Sequence, residues 1–282
     1  MEGVKRMSKR KILSAILYPA LSLLPPKKGV TVLTLHNIYP QDYFWFEHLI
    51  EKLAQTYEFL DPLNLNGELR TPTKIPKILL TFDDGFHSNK ILAERILAKY
   101  GVKAIFFITE GFIGIKKDKI GEFVENSFYP KSKNSGLNSI LDAPMSWTDV
   151  RWLAKNGHMI GAHTKTHPSL SKLISNDSLI EEIVTSADSI EGKIRAKINC
   201  FAFPFGTLDS VNKDAIDLAK KRFEFVFSNI RGSVSESPGS HFIFRQNIVP
   251  NDPIWLVRVM IEGKLDWMYA KLRKLAKSRY QI

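Results

Sequence analysis

The 282-residue chain holds a single cysteine, Cys200. One thiol excludes an intrachain disulfide framework and a zinc site built from several thiolates, so any metal has to be held through nitrogen and oxygen. It also fits a reducing compartment. The apolar stretch from Ile12 to Pro25 is shorter than the roughly 20 residues that a membrane span needs, and Pro19 interrupts it. No small-x-small cleavage site precedes Pro25-Pro26, which argues against a secretory signal peptide. Acidic residues are also short, 29 against 40 Lys and Arg, and leave a net charge of +11.

That excess sits at the two ends. Residues 1–29 carry seven cations against one Glu, a net +6, and residues 258–282 carry seven against two acids, a net +5. The body between them is neutral and has no basic, aromatic-rich single-strand motif, so no nucleic-acid partner is expected. In segment 1–29, Lys5, Arg6, Lys9, Arg10 and Lys11 adjoin the apolar run, the pattern of an interfacial anchor. Segment 251–282 reads as a basic amphipathic helix bearing Trp267, Met268, Leu272 and Leu275. It either binds an anionic membrane surface or packs on the rest of the molecule. The expected location is cytoplasmic, peripheral at the inner face of the membrane, ahead of a secreted or periplasmic one.

Between the ends, a 44% hydrophobic composition supports a full core. Short runs rich in β-branched and aromatic residues recur at 30–36, 77–83, 103–109, 158–163, 200–204, 223–228 and 242–249. Helical patterns fall between most of them, at 43–57, 89–100, 147–156, 178–196 and 210–222. This alternation predicts an α/β fold with parallel strands, a distorted (β/α)7 barrel over residues 30–250. Chemistry in such barrels sits at the C-terminal strand ends, where His36, Asp83, Asp84, His163 and Pro204 fall. The stretch Gly111 to Pro144 breaks the rhythm and reads as an insertion over that rim.

Two segments carry the chemistry. KILLTFDDG ends a buried strand with Asp83, Asp84 and the turn-forming Gly85. Adjacent buried carboxylates repel unless a cation or a proton intervenes, so the pair marks either a metal site or a simple turn. In GAHTKTHP, His163 and His167 are four apart, which puts both rings on one side of a helical turn. Two imidazoles and one carboxylate leave coordination positions open, as catalytic metal sites do.

TFDDG followed by HTKTHP resembles the polysaccharide deacetylase family, also called carbohydrate esterase family four or the NodB-homology family. The stretch SWTDVRWLAKNGHMIGAHTKTHPSL is similar to that family's approach to its histidine motif, and the resemblance runs over about residues 30 to 250. It implies Asp83 as general base and Asp84, His163 and His167 as ligands of a divalent metal, zinc first, with cobalt or nickel as substitutes. The family's third motif is matched by Pro204, Phe205 and Gly206, which implies the Phe205 N–H as an oxyanion donor.

Two departures stand out. Ala202 occupies the place of the family's Arg that orients the base, and Arg245 in FIFRQNIV either substitutes for it or faces solvent. The family's closing strand, ending in a catalytic His, is absent after Arg245, while VLTLHN at the front ends in His36. The chain thus resembles a circularly permuted branch, with an N-terminal strand replacing the C-terminal one and His36 as the acid. The implied activity is metal-dependent N-deacetylation of a sugar in a glycan, or in a lipid-linked polysaccharide or lipopolysaccharide precursor. The alternatives are an O-deacetylase with the same site and a non-catalytic glycan-binding protein at a membrane.

Overall fold

The computed structural model describes residues 9–69, 73–129, 142–237 and 241–282, with side chains from Ile16 onward. Residues 130–141 of the expected rim insertion and the cations Lys5 and Arg6 lie outside the described residues.

Eight parallel strands form one curled sheet: β1 (Gly29–Leu35), β2 (Glu58–Phe59), β3 (Pro76–Phe82), β4 (Ala104–Ile108), β5 (Met159–Ala162), β6 (Cys200–Ala202), β7 (Phe225–Phe227) and β8 (Gln246–Asn247). Their order is β7-β6-β5-β4-β3-β1-β8, and β2 lies beside the first half of β3. The two ends of the sheet meet at a single parallel bridge, Phe227 to Ile243, just ahead of β8. The architecture is the expected α/β one, a distorted seven-stranded barrel. The first and last strands are neighbours, with β1 paired to β3 over seven residues and to β8 over two. The sequence reading missed the two-residue β2 and made the last strand too long, because most of 242–249 is irregular chain beside β7.

Alternation along the strands sorts the core into two layers. Val30, Val32, Leu79, Ile105, Phe107, Cys200, Ala202, Phe225, Phe227 and Ile243 fill the barrel. Leu33, Leu35, Ile78, Leu80, Phe82, Ala104 and Phe106 face the surrounding helices. Thr81, Asp83, Arg245 and Asn247 share the inward parity, as does Asn229 beyond the end of β7.

The 251–282 segment divides in two. Helix Ile254–Ile261 buries Leu256, Val257, Val259, Met260 and Ile261 and belongs to the core. After the left-handed Gly263 (φ 63°) a second helix, Ala270–Tyr280, covers the seam between β7 and β8. There Arg273 donates to the Arg231 and Asp266 carbonyls and the Tyr280 ring meets Phe242.

Gly161 lets β5 approach its neighbours, since a Cβ there would lie 2.5 Å from the Phe107 ring and 3.2 Å from the Cys200 carbonyl. Gly161→Ala should therefore overpack the barrel and cost roughly 1–3 kcal/mol, read as a lower Tm on thermal unfolding.

Candidate functional site

β3 delivers Asp83 inward, and the Asp83 N–H extends the ladder to the Leu35 carbonyl at 2.9 Å. The chain then turns through two left-handed residues, Asp84 (φ 78°) and Gly85 (φ 96°). This conformation is costly for an aspartate and marks a site whose surroundings impose it. It brings the Asp84 carboxylate onto the rim opposite β5, where Oδ1 is buried and has no hydrogen-bond partner among the described residues.

The Nε2 atoms of His163 and His167 each lie 3.5 Å from that oxygen. All three side chains are buried, and their ligand atoms lie within 4.8 Å of one another, so the trio fits a divalent ion. The sequence argument placed the two histidines on a helical turn, but no helix forms there. The rings converge because Thr164 (φ 66°) and His167 (φ 60°) are left-handed. Glu182 holds that loop, its Oε2 accepting the Lys165 and Thr166 N–H groups at 2.9 Å and its Oε1 the Thr166 hydroxyl at 2.6 Å.

The outer ring nitrogens are fixed as well. His163 Nδ1 lies 2.7 Å from the Ala202 carbonyl and His167 Nδ1 2.9 Å from the Ser127 carbonyl. A carbonyl only accepts, so both Nδ1 atoms carry the proton, and a neutral ring then turns an Nε2 lone pair toward Asp84. Burial pushes the His167 pKa down to about 4, so this ring is neutral near pH 7.

Arg245 resolves the first departure from the motif. It has no exposed surface and grips Asp83 bidentately, Nη1 to Oδ1 and Nη2 to Oδ2, both at 2.8 Å. Its Nε donates to the Ser228 carbonyl at 2.8 Å, and the guanidinium lies 5.5 Å over the Phe107 ring. Burial alone would raise the Asp83 pKa, but Arg245, with help from His163 and His36, lowers it to about 2.

His36 follows the end of β1 with Nε2 3.9 Å from Asp83 Oδ2 and its side chain partly exposed. Phe205 is left-handed (φ 58°) and stacks edge-on against His167 at 4.7 Å, and its N–H bonds to none of the described residues. Both residues line one cleft of ≈ 420 Å³, together with Asp84 and His167. The structure thus brings together all seven residues singled out from the sequence. Sequence reasoning missed Glu182, and it missed Tyr129, Asn229 and Asn247, which also line the cleft. The inward parity of Asn229 and Asn247, set by Phe225, Phe227 and Ile243, was a usable signal for those two.

Among solved structures, the chain is similar to the deacetylase PplD of Streptococcus pyogenes, solved in complex with acetate. That likeness has 21% identity and a TM-score of 0.62, covering 83% of this chain and 99% of that one. It is also similar to IcaB from Ammonifex degensii (19% identity, TM-score 0.64, 84% and 98% covered). A de-N-acetylase from Aggregatibacter actinomycetemcomitans shows the same likeness (17% identity, TM-score 0.60, 83% and 100% covered). At such identities the likeness establishes the fold, that of a NodB-type deacetylase barrel. No curated protein matches in sequence. The family described as polysaccharide deacetylase matches residues 70–222, more than half of the chain, and the chain belongs to that family.

Breaking the Arg245–Asp83 pair from one side leaves a buried charge without a partner. Arg245→Ala should cost about 3–5 kcal/mol in chemical unfolding, while the double variant Arg245→Met/Asp83→Leu should cost clearly less than the sum of the two single changes.

Proposed function

We propose that this chain hydrolyses the N-acetyl group of an N-acetylated sugar, using a divalent ion held by Asp84, His163 and His167. The observation that carries this reading is the buried, unpartnered Asp84 Oδ1 set between two Nε2 atoms whose outer nitrogens are tied to carbonyls. Membership of the polysaccharide deacetylase family supports it. So does the fold shared with a protein described as a de-N-acetylase. The nitrogen and oxygen donor set suits zinc, with cobalt or nickel as substitutes. When bound, such an ion supplies a Lewis acid that polarises an acyl carbonyl and acidifies water.

The protein's own groups do the rest. Asp83, ionised across the neutral range and aimed by Arg245, orients the attacking water and takes its proton as the oxygen–carbon bond forms. A carboxylate held near a pKa of about 2 is a weak base, so its task is orientation as much as proton capture. The Phe205 N–H donates to the oxygen that gains charge at the tetrahedral carbon. His36, open to the cleft, gives a proton to the nitrogen as the carbon–nitrogen bond breaks, releasing acetate and a free amine. An amine is a poor leaving group without that proton, whereas an alkoxide from an ester depends on it less.

Acetate release from an N-acetylglucosamine oligomer, measured with elemental analysis of the purified protein, tests the reading. Asp83→Asn should lower kcat by about 10²–10⁴ with metal retained, and His163→Ala/His167→Ala should lose the metal. His36→Ala should slow amide cleavage far more than ester cleavage, and equal small losses on both would mark an esterase. Metal retained undiminished by the double histidine variant would remove the proposed site. Sugar binding without acetate release by the wild type would favour a glycan-binding protein.

We also propose that the sugar is presented on a lipid at an anionic membrane surface. No helix among the described residues is long and apolar enough to cross a membrane. Helix Lys9–Ser22 packs against Ile254–Ile261, where Tyr18 meets the Trp255 ring, and beyond its end the Lys27 N–H meets the Glu262 carbonyl. Ile16 and Phe44 are exposed, and Val249 is exposed at the cleft. The outer face of Ala270–Tyr280 sets Leu272 and Leu275 among Lys271 and Lys274, with Trp267 just before it. The chain should sediment with vesicles containing phosphatidylglycerol and much less with neutral ones, and raised salt should weaken binding. Equal binding to both kinds of vesicle, or to neither, would remove the anionic-surface reading.

A further inference from the structure

Asn229 and Asn247 stand out once the cleft residues that already have partners are set aside. Both follow inward-facing strand positions, Phe225 and Phe227 in one case and Ile243 and Arg245 in the other, so both enter the cleft from the seam where the barrel closes. Each has its side-chain Oδ1 shut away from solvent with no hydrogen-bond partner among the described residues. Neither amide nitrogen bonds to a described residue either, and neither is a shielded atom, so it is the nitrogen edge of each amide that stays accessible. Two amide N–H groups that face one cleft without a partner among the described residues are donors free to meet an acceptor on the ligand.

Their backbones are well fixed. The Asn229 N–H donates to the Gly206 carbonyl at 2.8 Å, and a Cβ on Gly206 (φ 54°) would lie 2.4 Å from the Asn229 nitrogen. Asn229 is thereby locked to the turn that carries Phe205. The Asn247 carbonyl accepts from Arg231 Nη2 at 2.7 Å.

The rest of the lining narrows the ligand. Among the described residues no Lys or Arg lines the cleft, and Phe128, Phe205 and Ile248 give it apolar walls. A phosphate or carboxylate would call for a cation to pair with it. Apolar walls with a few neutral donors suit a ring that has apolar faces and hydroxyls at its edge.

We infer that Asn229 and Asn247 are specificity-determining residues that donate their side-chain N–H groups to hydroxyl or ring oxygens of a neutral N-acylated glycan beside its reacting acyl group. The inference rests on the hydrolase reading of this cleft and names how its substrate is gripped.

Steady-state kinetics on an N-acetylglucosamine oligomer test it. Asn229→Asp and Asn247→Asp keep the shape and remove the donors, and Asn229→Ala and Asn247→Ala remove both edges of each amide. Each change should raise KM about tenfold, the worth of roughly one hydrogen bond, with kcat shifted by less than about threefold. Metal content and Tm are measured in parallel, so that losses through folding or through the metal site are recognised. A KM within twofold of wild type in all four variants overturns the inference, and so does a fall in kcat with KM unchanged, which would make the pair part of the machinery that positions the base. If the wild type releases no acetate, the hydrolase reading fails by itself. Calorimetric titration with the same oligomer then decides the asparagines, weaker binding in the variants supporting the grip and unchanged binding removing it.

Discussion

Burying a guanidinium and a carboxylate side by side costs several kcal/mol for each ion before their attraction is counted. Here that cost is offset by two parallel hydrogen bonds of 2.8 Å, a third to the Ser228 carbonyl and the face of Phe107. The pair ties the segment before β8 to the end of β3, and through Ser228 to the end of β7, across the place where the sheet has only one bridge. One ion pair thus helps to close the barrel and also aims the carboxylate proposed as base. Ala202, at the third-motif position of the family's arginine, packs into the same inner cluster as Phe107, and its carbonyl orients His163. The guanidinium that pairs with Asp83 comes instead from Arg245, later in the chain.

The metal candidates depend on a second constraint, the left-handed backbone at Asp84, Thr164, His167 and Phe205. Each such residue costs of order 1 kcal/mol or more, and a run of regular strand would never present three ligand atoms within 4.8 Å. The strain is held by specific bonds. Glu182 clamps the histidine loop, the Thr164 hydroxyl accepts the His167 N–H at 3.0 Å, and the Thr109 N–H reaches the Asp84 carbonyl at 3.3 Å. Carbonyl partners on both Nδ1 atoms then leave the Nε2 atoms as the inward-facing nitrogens.

The barrel was legible because its strands are short apolar runs separated by helical patterns, and the motifs sit where those runs end. The family match spans residues 70–222 and so includes TFDDG, HTKTHP and AFPFG but neither His36 nor Arg245. Those two were reached only by asking what the motifs lacked, and the structure places both beside Asp83. The i, i+4 argument picked two histidines whose rings do converge, but on a left-handed loop and not a helical turn, since left-handed φ values leave little trace in residues such as Thr164. Glu182 was invisible because it acts on a loop about 16 residues away, through tertiary packing. The amphipathic pattern of 251–282 could not show that its first helix is core and its second a seam cover, because a period of 3.6 reveals a buried face without saying what buries it.

Charge is partitioned sharply along the sequence. The cations that make up the net +11 are concentrated in the terminal segments, whereas among the described residues no Lys or Arg lines the cleft, and the Arg245 guanidinium is paired with Asp83. A protein that bound an anionic polymer along its active site would need the reverse arrangement, because phosphate and carboxylate groups are held by cations at contact distance. Cations outside a neutral cleft instead suit two separate tasks. A negatively charged surface is met by long-range attraction that falls off over about 8–10 Å at physiological salt, and a neutral ring is selected at close range by hydrogen bonds and apolar contact. On the proposed reading the terminal helices bring the barrel to its substrate, and the cleft chooses the sugar.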